Sequence, residues 1–234
     1  MKHLPWIALA ATAALLTSCS RPADQKTAAG PVSEGHERAG PVKWNPTTGG
    51  FELGGRPLRA VKLWTFDGST DGFTAVGSKL TPAPGQGLAV TVVDPTIRSP
   101  KGLDVPGAQY SLVLVRLTRT AGAAGWDGGL YYSTANHPEA VAYLGKPASG
   151  ANPAVGETTT LVYDMSRQAM GAPDWMASTI DQLRLDIEDK PGGAFVIRQV
   201  AITENPNPAG SAGAARLTAA PPAAAPTTPA PAKP

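Results

Sequence analysis

Residues 110–118 read YSLVLVRLT, and this stretch gives the strongest strand signal in the chain. Aliphatic residues occupy most positions of both alternating sets, so both faces of such a strand would be largely apolar. A strand of this kind lies in the middle of a structure and is covered by other layers on both sides. Arg116 is the only charge within it and would need a partner if buried. The stretch therefore predicts a central strand in a layered β-sheet protein.

Shorter segments with strand character flank this stretch on both sides. The 26 glycines and 24 prolines of the chain supply many turn positions between them. About nine short strands joined by such turns, without a convincing long helix, predict an all-β fold, a β-sandwich spanning residues 49–204. The flanking segments are residues 51–53, 58–66, 87–94, 130–133, 141–144, 158–165, 180–187 and 194–203.

The first residues of the chain have the pattern of a targeting signal. A short basic start precedes an apolar run at residues 4–16, which is roughly 13 residues long, whereas a helix needs about 20 to span a bilayer. The run ends in the sequence LTSC at residues 16–19, and Cys19 is the only cysteine of the chain. This pattern resembles the bacterial lipoprotein signal, or lipobox.

The lipobox resemblance implies that residues 1–18 are removed and that Cys19 becomes the first residue of the mature protein. Its sulfur would receive a diacylglycerol and its new amino group an acyl chain such as palmitate, which together suffice for stable membrane attachment. We therefore expect an extracytoplasmic lipoprotein of the cell envelope. In a Gram-negative host, Ser20 implies the outer membrane, because an Asp at this place would retain the protein at the inner membrane. The alternative is an ordinary signal peptide with a chance cysteine.

Segments without strand character flank the predicted domain. Residues 19–48 are polar, aperiodic and punctuated by Gly and Pro, and they predict a flexible tether. Residues 205–234 consist mostly of Pro, Ala, Gly and Thr and predict a disordered, extended tail. The formal net charge of +2 gives no indication of nucleic-acid binding.

Three features of the predicted domain together resemble one known family. The first is a W-x-F pattern followed by an Asp-Gly turn, at residues 64–68, and the second is the central strand quoted above. The third is the closing segment IDQLRLDIEDKPGGAFVIRQVAI at residues 180–202. Residues 60–203 in this way resemble the galactose-binding-domain-like jelly rolls that serve as carbohydrate-binding modules in extracellular bacterial proteins. Many members of that fold bind proteins or lipids, so the fold alone does not give the ligand.

Carbohydrate recognition uses flat aromatic faces that stack on sugar rings, together with planar polar groups that bond hydroxyls. Loops on a rigid scaffold are the usual place for such residues, and residues 166–175 are predicted as a loop that can include one short helical turn. Either Tyr131 or Tyr132 must point inward, because successive strand residues face opposite ways. The alternative is that the aromatic residues only fill the core. The candidate carbohydrate-binding residues are Trp126, Asp127, Tyr132, His137 and Trp175.

The resemblance to the jelly rolls also implies a structural calcium ion, bound by carboxylates and backbone carbonyls of the first and last strands. Asp67, Asp71 and Asp186 are the nearest equivalents in this chain. Hard oxygen ligands of this type suit Ca²⁺. The alternative is that residues 67–72 simply form an Asp-Gly turn.

Catalysis has little support in the sequence. His137 is the only histidine of the predicted domain, and no G-x-S-x-G, P-loop or H-E-x-x-H motif occurs. Asp186, Glu188 and Asp189 would suffice for a glycosidase, yet they border a turn where acidic residues are common. The leading hypothesis is a lipoprotein with a non-catalytic carbohydrate-binding domain. The alternatives are an accessory lipoprotein that binds an envelope protein partner, and a carbohydrate-active enzyme.

Overall fold

The computed structural model describes residues 35–122 and 125–209, apart from the side chains of residues 92–95. Helical structure in this part consists of α1, Ala172–Ala177, and one 3₁₀ turn, Val141–Tyr143. None of its helices has the length and apolar character required to cross a membrane. The strands are β1 His36–Glu37, β2 Val42–Asn45, β3 Gly50–Leu53, β4 Arg56–Pro57, β5 Ala60–Trp64, β6 Thr74–Ala83, β7 Gly87–Arg98, β8 Val105–Pro106, β9 Leu112–Ala121, β10 Trp126–Thr134, β11 Leu144–Gly145, β12 Glu157–Asp164, β13 Thr179–Glu188 and β14 Ala194–Thr203.

The main sheet has 11 strands and curls into two layers. The front layer has the order β1–β12–β9–β14, with β5 beside the second half of β14, and the back layer has the order β7–β13–β10–β11. β7 links the layers, because its first half pairs with β14 and its second half with β13. β6 pairs along β7. The jelly-roll β-sandwich predicted from the sequence is confirmed.

β9 runs through the centre of the front layer and is buried on both faces. Val113, Val115 and Leu117 point into the core between the two layers. Leu112 and Leu114 point the other way, into a second apolar cluster. Full burial of one such side chain stabilises the fold by about 1.5–3 kcal/mol. The predicted central strand with two covered faces is therefore confirmed, and it contributes to both clusters.

A separate sheet of three strands, β2–β3–β4, provides the second cluster with most of its cover. Val42, Phe51 and Leu58 are buried there beside the outward leucines of β9. Trp44 packs edge-on against Phe51, with 5.1 Å between the ring centroids. We call this element the cover sheet.

The structure corrects the predicted flexible tether, residues 19–48, from residue 35 onward. β1 pairs in parallel with β12, and β2 belongs to the cover sheet. Arg116 Nη2 donates to Glu37 Oε2 at 2.7 Å, so a residue of the predicted tether is the partner of the buried arginine of β9. Arg38 Nε donates to Glu157 Oε1 at 2.7 Å. These residues are ordered because a buried guanidinium and an apolar outer face both require cover.

The predicted C-terminal boundary, residue 204, also moves outward. Asn205 Nδ2 donates to Asp164 Oδ1 at 2.9 Å, and the backbone N–H of Ala209 donates to Ser166 Oγ at 2.9 Å. These bonds hold residues 205–209 against the loop after β12. The predicted signal peptide with Cys19, the first part of the tether and residues 210–234 of the tail lie outside the described residues.

Candidate functional site

The outer face of the back layer is polar because its strands alternate. Leu183, Leu185 and Ile187 of β13 belong to the core between the layers, so the residues between them face outward. Strand pairing extends the same outward row across β10, β7 and β6. We call this surface the polar face, and it consists of Thr74, Arg98, Tyr131, Ser133, Gln182, Arg184 and Asp186.

An open cleft of about 500 Å³ lies on the polar face. The loop after β10 contributes Pro138 and Glu139 to its wall, and the loop after β7 contributes Lys101. Six of its seven lining residues have polar or charged side chains, so the cleft can form hydrogen bonds to a ligand rich in hydroxyl groups. The strand residues that line it are Thr74, Arg98, Ser133 and Gln182.

Ion pairs hold the planar side chains of the polar face in place. Arg98 donates to both oxygens of Glu139, at 2.6 Å from Nε and 2.8 Å from Nη2. Arg184 Nη1 donates to the same carboxylate at 3.2 Å, and its Nε donates to Asp186 Oδ1 at 2.9 Å. Burial opposes ionisation of Glu139, but the two arginines outweigh it and hold the pKa of this carboxyl below its usual value. Burial raises the pKa of Asp186 despite its contact with Arg184.

Tyr131 is the aromatic side chain of the polar face, and sequence reasoning gave its role to Tyr132. The Arg184 guanidinium lies over its ring, 4.6 Å from the centroid, in a cation–π arrangement. Burial, and then the charges of Asp186 and Asp127, raise the pKa of its phenol. Tyr131 therefore presents a neutral hydroxyl beside the cleft.

Trp126 begins β10 and is partly buried against the core. The Arg119 guanidinium lies 5.8 Å from its ring centroid, and Arg119 pairs with the fully buried side chain of Glu188. The indole therefore packs over a buried ion pair, and it does not line the cleft on the polar face. Asp127 follows it and forms an ion pair with Lys146.

Tyr132 and Trp175 are buried, although both were named from the sequence as candidate carbohydrate-binding residues. Both side chains are fully buried, and their rings meet edge to face at 4.9 Å. Residues 172–175 belong to the short helix α1, where the predicted loop allowed a helical turn, and Trp175 Nε1 donates to the Tyr110 carbonyl at 3.2 Å. Gly171 precedes the helix with a positive φ of 77°, and a Cβ there would lie 2.9 Å from the Tyr132 hydroxyl. Neither ring can stack on a sugar in this arrangement, because each fills the core.

His137 lies behind the wall of the cleft rather than on its surface. Its Nε2 is 2.9 Å from Asp174 Oδ2, its Nδ1 is 2.9 Å from the Pro138 carbonyl, and its ring stacks on Tyr143 at 3.5 Å. The Tyr132 hydroxyl is also 2.9 Å from Asp174 Oδ2, and burial followed by this contact raises the pKa of the phenol. The cluster fastens the loop after β10 to α1, and this loop carries part of the cleft wall.

The structure does not assemble the predicted calcium ligands. Asp67 Oδ1 accepts from the backbone N–H of Gly85 at 3.0 Å, and Asp71 Oδ2 accepts from that of Phe66 at 2.9 Å. Asp186 faces Arg184 on the back layer. Within residues 35–122 and 125–209, no three His, Cys, Asp or Glu side chains form a group that could hold a metal ion. Asp71 thus caps its own turn, whereas Asp67 holds the turn between β6 and β7.

None of the residues that line the cleft was among the candidates named from the sequence. The pattern D-Q-L-R-L-D-I-E at residues 181–188 contained a usable signal, because its polar positions alternate with buried ones. Arg98 belongs to the polar face because it lies opposite Arg184 in the pairing of β7 with β13. Lys101 and Glu139 lie in loops that carry no periodic pattern, so only the folded structure brings them to the cleft.

Comparisons with known proteins gave similarity in solved structures only. No protein-family profile and no curated protein matches the chain. A carbohydrate esterase from Shiga toxin-encoding bacteriophage phi24B has 10% identity and a TM-score of 0.43, with 63% of this chain and 99% of that chain covered. The CBM22-1 xylan-binding domain of Xyn10C from Paenibacillus barcinonensis has 16% identity and a TM-score of 0.42, with 63% and 97% covered. CsCBM6-3 from Clostridium stercorarium, solved with cellobiose, has 10% identity and a TM-score of 0.36, with 63% and 97% covered. Similarities at this level carry no argument about ligand or activity.

Proposed function

We propose that the domain binds carbohydrate, without catalysis, through the cleft on the polar face. The observation that carries this proposal is the set of planar side chains held in the cleft by ion pairs, chiefly Arg98 and Glu139. A planar guanidinium, carboxylate or amide can bond two neighbouring hydroxyls of a sugar ring at once. Because these groups are already fixed, binding costs little additional side-chain entropy.

The charges of the site favour binding over hydrolysis. A glycosidase needs one carboxyl group that remains protonated until it donates to the leaving oxygen. The pKa of Glu139 is shifted in the opposite direction. Burial raises the pKa of Asp186, but both of its oxygens accept from Arg184 and its side chain does not line the cleft. Neither carboxyl group offers the free acid that hydrolysis requires.

Replacing Arg98 with alanine tests the site. A charged hydrogen bond is worth about 1.5–3 kcal/mol, so we expect affinity for a bound polysaccharide to fall by about tenfold or more. Calorimetric titration of the full-length chain against envelope and plant polysaccharides measures it. Arg56→Ala is the matched control, because Arg56 is an exposed arginine of the cover sheet and should leave affinity unchanged. If no polysaccharide binds, the proposal fails and a protein ligand becomes the better explanation.

We further propose that a lipid on Cys19 attaches the domain to the membrane and places it in an extracytoplasmic compartment. The support is the apolar run ending in LTSC at residues 16–19. Growth with a palmitate analogue should label the wild-type chain, and Cys19→Ala should lose both the label and membrane association. Equal labelling of the two chains would rule out lipidation at this residue.

A further inference from the structure

Positive groups are the more accessible charges of the polar face. The Arg98 and Arg184 side chains are 28% and 24% exposed, whereas those of their partners Glu139 and Asp186 are 14% and 13% exposed. The carboxylates are thus less exposed than the guanidinium groups. A ligand that approaches the cleft meets the cations first.

The polar face also has more unused hydrogen-bond donors on its arginines than unused acceptors on its carboxylates. Each oxygen of Glu139 and Asp186 already accepts at least one bond from an arginine. A guanidinium carries five N–H groups. Arg98 uses three of them, two in bonds to Glu139 and one in a bond to Thr96. Donors therefore remain, while the carboxylates are largely occupied. This balance suits a ligand rich in acceptors.

Lys101 adds a further charge at the rim. It is exposed and lines the cleft, and no carboxylate of the described residues forms an ion pair with it. The two arginines are balanced by two carboxylates, so Lys101 gives the cleft its net positive charge. An ammonium group with three donors can pair with a ligand carboxylate.

We propose that the ligand is an acidic polysaccharide, in which the carboxylate of a uronic acid residue pairs with Lys101. The neighbouring hydroxyl groups of the sugar bond to Arg98, Gln182 and Ser133. Three of the seven lining residues, Thr74, Ser133 and Gln182, are polar and uncharged, and they can bond the hydroxyl groups of a sugar acid, which a compact multivalent anion lacks. This inference rests on the proposed carbohydrate binding and names the class of sugar.

Comparing each acidic polymer with its carboxyl-reduced form separates the contribution of charge to the affinity from that of the rest of the sugar. The purified full-length chain is titrated with polygalacturonate, alginate and glucuronoxylan, each before and after reduction of its carboxyl groups. We expect at least one native polymer to bind about two- to fivefold more tightly than its reduced form, consistent with one exposed ion pair. The difference should shrink at 0.5 M salt, because exposed charges are screened.

Lys101→Met should remove that preference and leave affinity for the reduced polymer unchanged. Lys43→Met, an exposed lysine of the cover sheet, is the control and should keep the preference. Equal affinity for native and reduced polymers, or a preference that survives in Lys101→Met, overturns the inference while carbohydrate binding stands. If none of the six polymers and no neutral polysaccharide binds, the proposed function fails as well.

Discussion

Replacing Trp175 with alanine is expected to lower the free energy of unfolding by about 3–5 kcal/mol, the range for truncating a large core side chain. The indole is fully buried and packs edge to face on Tyr132. Its Nε1 donates to the Tyr110 carbonyl at 3.2 Å, so alanine would leave both a cavity and an unsatisfied buried oxygen.

Urea unfolding of the full-length chain measures this effect. Met170→Ala is the control, because Met170 lies close in sequence but is 41% exposed and should change stability by no more than about 0.5 kcal/mol. A loss below about 1 kcal/mol in Trp175→Ala would mean that the indole is exposed, as the sequence analysis expected. It would also return Trp175 to the candidate sugar-binding residues.

Replacing Arg119 with alanine is expected to cost about 3–5 kcal/mol as well, because it leaves the carboxylate of Glu188 buried without its guanidinium. The side chains of this pair are 9% and 0% exposed. Arg119 Nη1 also donates to Asn152 Oδ1 and to the Pro153 carbonyl, each at 3.0 Å. The pair therefore joins the end of β9 to that of β13.

A double-mutant cycle isolates the contribution of this pair. Arg119→Leu combined with Glu188→Leu should cost less than the sum of the two single changes, because neither charge is left alone. Lys146→Ala, which breaks the exposed pair with Asp127, is the control and should cost no more than about 1 kcal/mol. Additive losses at Arg119 and Glu188 would show that the two side chains do not interact.

The β-sandwich was predictable because the local pattern of apolar and polar residues in each strand indicates which of its faces are buried. The central strand at residues 110–118 has two apolar faces, and the structure covers both. The order of residues 36–48 was not predictable, since β1 has no apolar side chain and β2 is a strand of only four residues, two of them apolar. They are ordered by what they cover, namely the outer face of the front layer and the guanidinium of Arg116.

The candidate site was less predictable than the fold. Trp175 was named as a candidate from its aromatic type and loop placement, and Tyr132 from its aromatic type within a short strand, but neither property tells whether a ring is buried. The alternation of polar and apolar residues in β13 encodes the polar face. The ion pairs of that face, however, join residues that are far apart in the sequence. Arg98 and Glu139 are 41 positions apart in the chain and meet only in the folded protein.

Mapping the bound ligand onto the backbone tests the central claim most directly. Amide chemical shifts of the isotope-labelled full-length chain would be followed by NMR during titration with the best-binding polysaccharide. Carbohydrate binding at the cleft predicts saturable shifts at Arg98, Ser133 and Gln182, with the cover sheet unaffected. Shifts confined to the cover sheet or to the Trp126 end of the sandwich, with the polar face unchanged, would contradict it.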